Sequence, residues 1–263
     1  MDATVYSQVK NSVKRLLNID LNYYKEEQVK RRLDSWLARN DMPNWDIYIE
    51  KLTRDSVELS RFRDYLTINV TEFFRDMPYW KTLQEQVLPM LVKQSVERKS
   101  PLKLWSAGCS IGVEAYTLAM VMDMVAPHAP CEILASDMDR GALQRAKARG
   151  PFSGDEIRNL TPEQKSRYMT ELNGKFFVKE QYARMIRFFE QDLLKDTFNP
   201  NMDLIVCRNV VIYFTREAKD MLYRKFHNAL RPGGILFVGG TELLARPGEL
   251  GFSSKWMAFY AKN

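Results

Sequence analysis

"LWSAGCSIGVEAYTLAM", Leu104 to Met120, decides the fold. The apolar run Leu104 to Ala107 ends at a turn bounded by Gly108 and Gly112, and from Val113 the chain takes up helical spacing. A buried strand that passes through a glycine turn straight into a helix is the opening unit of an α/β sheet, and in such sheets the turn faces a ligand. The spacing is not the G-x-G-x-x-G that cradles a dinucleotide pyrophosphate, and no G-x-x-x-x-G-K-[ST] occurs. A ligand without phosphates is therefore favoured over NAD or ATP. An adenosyl cofactor fits better, because its ribose and amino-acid portions need hydrogen bonds and no phosphate nest.

Outward from this stretch the pattern repeats. "LKLWSAG", "CEILASD", "MIRFFEQD", "MDLIVCRN" and "GGILFVGG" are short apolar runs bounded by Gly, Asp or Asn, as buried parallel strands are. Helical segments at Val113–Val125, Arg140–Ala148 and Glu217–Ala229 alternate with them, which predicts a doubly wound α/β domain with its ligand at the carboxyl ends of the strands. Asp137 closes the second strand, where an acidic side chain can accept both ribose hydroxyls, or can cap the helix that follows. Between Pro151 and Arg187 a short helix around "TPEQKSRYM" and a strand-like "NGKFFVKE" behind an Asn-Gly turn interrupt the alternation.

The chain ahead of Lys103 shows no β-type alternation. Val29, Leu33, Trp36 and Leu37 fall at i, i+4, i+7 and i+8, one apolar helix face, and Met42-Pro43-Asn44 breaks the helices apart. The reading is thus a helical domain with linker over 1–80 and an α/β domain over 81–263 that carries an insertion at 151–187.

Composition narrows the chemistry. Of 263 residues 27% are charged and 45% hydrophobic, the balance of a folded globular chain. The start lacks a signal-peptide pattern and no apolar run reaches membrane-span length, so the expected location is cytoplasmic, without membrane insertion. Cys109, Cys131 and Cys207 stand far apart, which speaks against a disulfide framework and a zinc site, and no metal is expected. His128 and His227 are the only histidines and have no triad or ligand neighbours, so the chemistry does not call for an imidazole base. The net charge of +6 favours an anionic partner.

Four stretches in order, "TINVTEFFRD", "AGCSIGVEAYTLAM", "DLIVCRNVVIYF" and "LRPGGILFVGGTELL", resemble the CheR family of chemotaxis receptor methyltransferases. The resemblance spans nearly the whole chain. It implies a Rossmann-like S-adenosylmethionine-dependent methyltransferase domain with a small β-subdomain insertion, preceded by the all-helical domain. It implies methyl transfer to glutamate side chains on the cytoplasmic domain of methyl-accepting chemoreceptors, with S-adenosylhomocysteine as product. Carried over by position, the cofactor contacts fall on Asn69, Thr71, Arg75, Gly108, Glu114, Asp137, Asp192, Leu193, Asn209 and Val210. Two departures stand out. Asp192 replaces the family's more usual asparagine, exchanging an amide donor for an acceptor-only carboxylate, and Ile111, Val113 and Ala115 replace threonine, glutamate and proline.

The resemblance also suits the scarcity of histidine. A glutamate with a pKa of about 4.3 is already ionised at neutral pH, so alignment carries the rate and no base is required. Arg75 has the planar fork that aims a carboxylate, and Tyr213 in "VVIYF" can place its hydroxyl beside the methyl path. Lys25, Arg32 and Arg39, with Arg31 nearby, form a basic stripe at seven-residue intervals that the family uses to meet acidic receptor helices. A nucleic-acid methyltransferase would suit the net charge, but "CRNVVIYF" stands where an Asp/Asn-Pro-Pro-Tyr motif would be, and no nucleic-acid partner is expected. The altered glycine turn lends some support to a non-enzymatic cofactor-binding module. A monomer is expected.

Overall fold

The computed structural model describes residues 1–67 and 71–263. The chain forms two units, residues 1–69 with 211–221 and residues 70–210 with 222–263. Asn69 lies outside the described residues.

The first unit is built on helices α1 (Ala3–Leu17), α2 (Glu26–Arg39), α3 (Trp45–Arg54) and α4 (Ser56–Thr67). Asp2 caps α1 by accepting from the Val5 amide, and Asn44 caps α3 by accepting from the Ile47 amide, each supplying a partner to an otherwise orphaned N–H. The break expected at Met42-Pro43-Asn44 is the connection between α2 and α3. The apolar faces close on Val9, Val13, Leu33, Trp36, Trp45, Tyr48, Leu52 and Phe62, all buried. One buried carboxylate sits among them: Trp36 Nε1 donates to the Tyr48 hydroxyl at 2.6 Å, which donates to Glu58 Oε1 at 2.8 Å. Arg61 pairs with the other oxygen of Glu58 at 2.7 Å, so the charge is met by partners as burial demands. Residues 211–214 belong to this unit. The Lys25 amide donates to the Tyr213 carbonyl at 2.9 Å, the Thr215 amide to the Tyr23 carbonyl at 2.8 Å, and Tyr24 packs edge-on against Phe214.

The second unit opens with helix α5 (Met77–Thr82), a π-helical turn (Leu83–Val87) and α6 (Leu88–Arg98). Then follow β1 (Leu102–Ala107), α7 (Val113–Val125), β2 (Cys131–Asp137) and α8 (Arg140–Lys147). The insertion holds α9 (Pro162–Tyr168), the antiparallel hairpin β3 (Met169–Leu172) and β4 (Lys175–Val178), and α10 (Glu180–Ala183). The sheet resumes with β5 (Ile186–Glu190) and β6 (Met202–Cys207), and helix α11 (Arg216–Ala229), counted with the first unit as far as Met221, leads to β7 (Leu230–Val238), β8 (Phe252–Trp256) and β9 (Phe259–Lys262).

The main sheet has the order β5-β2-β1-β6-β7-β9-β8, parallel from β5 to β7 and antiparallel at β9 and β8. The doubly wound sheet is as expected. The closing β8 and β9 have no counterpart in the sequence reading, because "FSSKWMAFYAK" alternates too weakly to announce two strands and its turn puts Ala258 at φ 70. From β1 the chain winds one way through β2 to β5, then crosses back to β6 and β7 on the other side of β1, so the order reverses between β1 and β6. That switch point opens a crevice at the carboxyl ends of the strands.

β6, central in the sheet, is buried at every position, which explains its apolar run, and α7 buries Val113 and every residue from Ala115 to Met122. The amino end of the sheet is held by a different device. Asp203 accepts from Arg98 at 2.8 Å, from the Lys103 amide at 2.8 Å and from Arg231, binding β1, β6, β7 and α6 together.

Candidate functional site at the carboxyl ends of the strands

The site begins where β1 ends. Gly108 adopts φ 83 and Gly112 φ 87, conformations that side chains rarely take. A Cβ on Gly108 would lie 2.6 Å from Val210 Cγ2, so the glycine lets two of the predicted positions meet. A Cβ on Gly112 would lie 2.8 Å from the Ala146 Cβ, so that glycine serves the packing of α7 on α8.

Glu114 lies in the first turn of α7 and accepts from the buried Ser106 hydroxyl at 2.8 Å. Burial pushes its pKa up to about 7, opposed by the nearby positive charges of Arg208 and Arg75 and reinforced by Glu242. Asp137 closes β2, with its pKa pushed up to about 6 by burial. Its Oδ2 accepts from the Ser110 amide at 2.7 Å and its Oδ1 from the Asp139 amide at 2.9 Å, which ties the glycine turn to the end of β2. The helix cap is not Asp137. Asp139 caps α8 by accepting from the Ala142 amide, which leaves lone pairs of Asp137 for a ligand.

Thr71 to Asp76 is a tightly turned segment, with Phe74 at φ 51 and Asp76 at φ 58. Phe73 and Phe74 are buried, and the insertion grips the backbone between them. The Phe73 amide donates to the Glu156 carbonyl at 2.9 Å, Asn159 Nδ2 donates to the Phe73 carbonyl at 3.0 Å, and Phe73 meets the Phe152 ring edge-on at 5.2 Å. The Arg75 carbonyl accepts from Trp80 Nε1 and from Arg208 Nη2, each at 2.9 Å.

Beyond β5, Asp192 organises its own loop. Its Oδ1 accepts from the Leu194 amide at 2.9 Å, its Oδ2 pairs with Lys195 at 3.2 Å, and Lys225 of α11 donates to the Leu193 carbonyl at 2.7 Å. Beyond β6, Asn209 is left-handed at φ 59, and its amide donates to Glu242 Oε2 at 2.5 Å. Glu242 Oε2 also accepts from the Gly239 amide at 3.1 Å.

The second unit therefore brings together, at the ends of β1, β2, β5 and β6, the predicted Thr71, Arg75, Gly108, Glu114, Asp137, Asp192, Leu193, Asn209 and Val210. Tyr213 belongs to the helical unit, as do Lys25, Arg31, Arg32 and Arg39. Of that stripe, Lys25, Arg31 and Arg39 are exposed. Arg32 is half-buried, with its guanidinium over the Tyr65 ring at 4.7 Å and bonded to the Tyr65 carbonyl, and burial lowers its pKa. Its side chain serves the packing of α2 on α4. Sequence reasoning missed Ser106, Arg208 and Glu242. Arg208 alone left a signal, a charge directly after a fully apolar strand.

The descriptions that match this chain agree with the geometry. The model for "CheR methyltransferase, SAM binding domain" matches residues 69–255, and that for "CheR methyltransferase, all-alpha domain" matches residues 5–67. The chain belongs to the CheR methyltransferase family. A chemotaxis protein methyltransferase of Listeria monocytogenes is 38% identical over 95% of this chain and 94% of its own. That of Borreliella burgdorferi is 32% identical over 93% and 89%, and that of Escherichia coli 30% over 90% and 83%.

As a CheR methyltransferase the chain uses S-adenosylmethionine. Its residues fit that group: one carboxylate in the first turn of α7 and one at the end of β2 can accept from an ammonium and a diol, and the turn at Gly108 is bare where a Cβ would clash. Ile111 and Val113 of the CheR turn are both buried, so the departures from the family's polar residues lie in packing. No helix among the described residues is long and apolar enough to cross a membrane.

Proposed function

We propose that the chain methylates glutamate side chains on the cytoplasmic domain of chemoreceptors, giving glutamyl methyl esters. The observation that carries this is the pair of half-buried carboxylates, Glu114 and Asp137, held on either side of a bare glycine turn at the sheet's switch point. Asp137 receives the ribose hydroxyls and Glu114 the amino group of the cofactor's methionine end. Gly108 and Val210 form the wall between them. Asp192 and Leu193 take the adenine: its exocyclic amine donates, so the carboxylate of Asp192 is a suitable acceptor where an amide is more usual. Thr71, Arg75 and Asn209 complete the lining; Asn69 is assigned to the cofactor on the family resemblance alone.

When bound, S-adenosylmethionine supplies a methyl group on a sulfonium that departs as the neutral thioether of S-adenosylhomocysteine. The substrate carboxylate forms the new C–O bond as the S–C bond breaks, and no proton has to move. What the chain contributes is alignment, which in well-ordered cases supplies about 7–11 kcal/mol. Arg75 aims the substrate carboxylate through its planar fork. Tyr213 is assigned beside the methyl path on the family resemblance alone. The exposed Lys25, Arg31 and Arg39 steer the acidic receptor helices onto α2, and the chain acts as a monomer in the cytoplasm.

The test uses methyl-labelled cofactor with a chemoreceptor cytoplasmic fragment. Base-labile label released as methanol is the expected result. Label that persists in base, or that appears on RNA, rejects the proposal.

A further inference from the structure

Two buried charged groups lie outside the set of positions that the sequence assigns to the ligand, yet each holds the backbone of one of them. Arg208 is 6% exposed and Glu242 2%. Arg208 stands at the end of β6, over the rings of Trp80 and Phe237 at 5.5 and 5.0 Å. Its Nη2 holds the Arg75 carbonyl at 2.9 Å and Asp76 Oδ2 at 2.7 Å. Its Nε–H is buried without a hydrogen-bond partner. A buried guanidinium with one donor unmet is costly to keep, so its retention calls for an explanation beyond the two bonds it makes. Glu242 accepts two backbone amides, Asn209 and Gly239, on one oxygen, and so sets the turn that presents Asn209 and Val210.

We propose that Arg208 and Glu242 are positioning residues of opposite sign for the cofactor's charged end. Arg208 follows by two residues Val206, the register partner of the Ser106 that bonds Glu114; there it acts as counter-charge to the Glu114 carboxylate and ties the Thr71–Arg75 segment to β6. Glu242 holds the Asn209 turn and acts on Glu114 as a like charge. The inference rests on Glu114 as the acceptor of the cofactor's amino group.

Among the described residues, four groups bear on Glu114, each with its own direction. Arg208 after β6, Arg75 in the turned segment and Ser106 on β1 favour the ionised form, and Glu242 after β7 opposes it. The buried thiols of Cys109 and Cys207 are neutral, held well above the ordinary thiol range by burial. With Glu114 near 7, affinity for a cationic amino group rises as pH climbs through neutrality, and each neighbour displaces that rise by its own sign.

The experiment is calorimetric binding of S-adenosylhomocysteine from pH 5.5 to 8.0 by the full chain and four variants. Arg208→Met moves the midpoint of the acid limb to higher pH and weakens binding at pH 7 on the order of tenfold. Arg208→Lys, which keeps the charge, returns the midpoint toward the wild-type value. Glu242→Gln keeps an oxygen for both amides, removes the charge and moves the midpoint to lower pH. Opposite displacements are the expected result, since loss of packing alone would move both variants the same way. Unchanged midpoints in folded Arg208→Met and Glu242→Gln, displacements of one sign in the two, or an Arg208→Lys midpoint displaced as far as that of Arg208→Met, overturn the proposal. Glu114→Gln separates this failure from that of the cofactor reading: if it binds with the wild-type pH profile, Glu114 is not the acceptor.

Discussion

Val210 fills the space that a side chain on Gly108 would need: a Cβ added to the glycine would stand 2.6 Å from Val210 Cγ2. At φ 83 a side chain is also strained by about 1–2 kcal/mol. Gly108→Ala should therefore lower affinity for S-adenosylhomocysteine at least tenfold in titration calorimetry. Val210→Ala in the same chain should recover part of the loss, because it clears the clash and leaves only the backbone strain. Failure of the second change to recover any binding would place the defect elsewhere.

Stability of the ligand-free protein should fall as pH rises from 5 to 8. Asp137 and Glu114 have folded pKa values near 6 and 7, both raised by burial from ordinary values of 3.8 and 4.5. Between those limits the folded chain binds more protons than the unfolded one, so each unit of rising pH disfavours folding until both groups have ionised. The depressed pKa of Asp20, next to Lys14, acts in the opposite sense and only below its ordinary value of 3.8, outside this window. Differential scanning calorimetry at pH 5.5 and 8.0 reads the difference. At pH 6.5, cofactor binding should release protons from Glu114, visible as a dependence of the binding heat on the buffer's ionisation enthalpy.

Asn159 illustrates action at one remove. It touches no predicted ligand position, yet its amide holds the Phe73 carbonyl at 3.0 Å from the insertion side. Loss of one such bond costs about 1 kcal/mol. Asn159→Ala should raise the KM for S-adenosylmethionine severalfold, with a fall in Tm of a few degrees and a smaller effect on kcat.

Receptor docking can be tested without disturbing the helical unit. Arg31→Glu with Arg39→Glu reverses two exposed charges and should slow methylation of a receptor fragment at low salt, by about tenfold, while S-adenosylhomocysteine binding stays at the wild-type level. Arg32→Glu is a different experiment. It removes a half-buried guanidinium from the Tyr65 ring and carbonyl, and should lower Tm before it affects docking.

The parallel strands, their helices and the hairpin at Asn173-Gly174 were legible because burial on both faces writes uninterrupted apolar runs and tight turns demand particular residues. Asp137 was legible as a position and ambiguous as a role. Its neighbour two residues on, Asp139, has the same chemistry and takes the capping role, a choice made by backbone geometry. Arg32 shows the converse. A seven-residue charge interval fixes the flank of a helix, but which member of the stripe turns inward depends on Tyr65, thirty-three residues away. Arg208 and Glu242 were hidden because their significance lies in the proximity of the ends of β6 and β7 to the start of α7, and no local spacing encodes a contact across three elements.

The unit that contains α1 to α4 is completed by residues 211–221, which the chain reaches only after β6. Tyr24 rests on Phe214, and the two backbones exchange bonds at Lys25 and Thr215. A fragment stopped at residue 69 would leave Tyr24 without its ring partner, and one begun at residue 70 would carry a bereft apolar loop. Exchange of the helical part between two such proteins must accordingly transplant both pieces, and a chimera joined at a single seam inherits a mismatched corner.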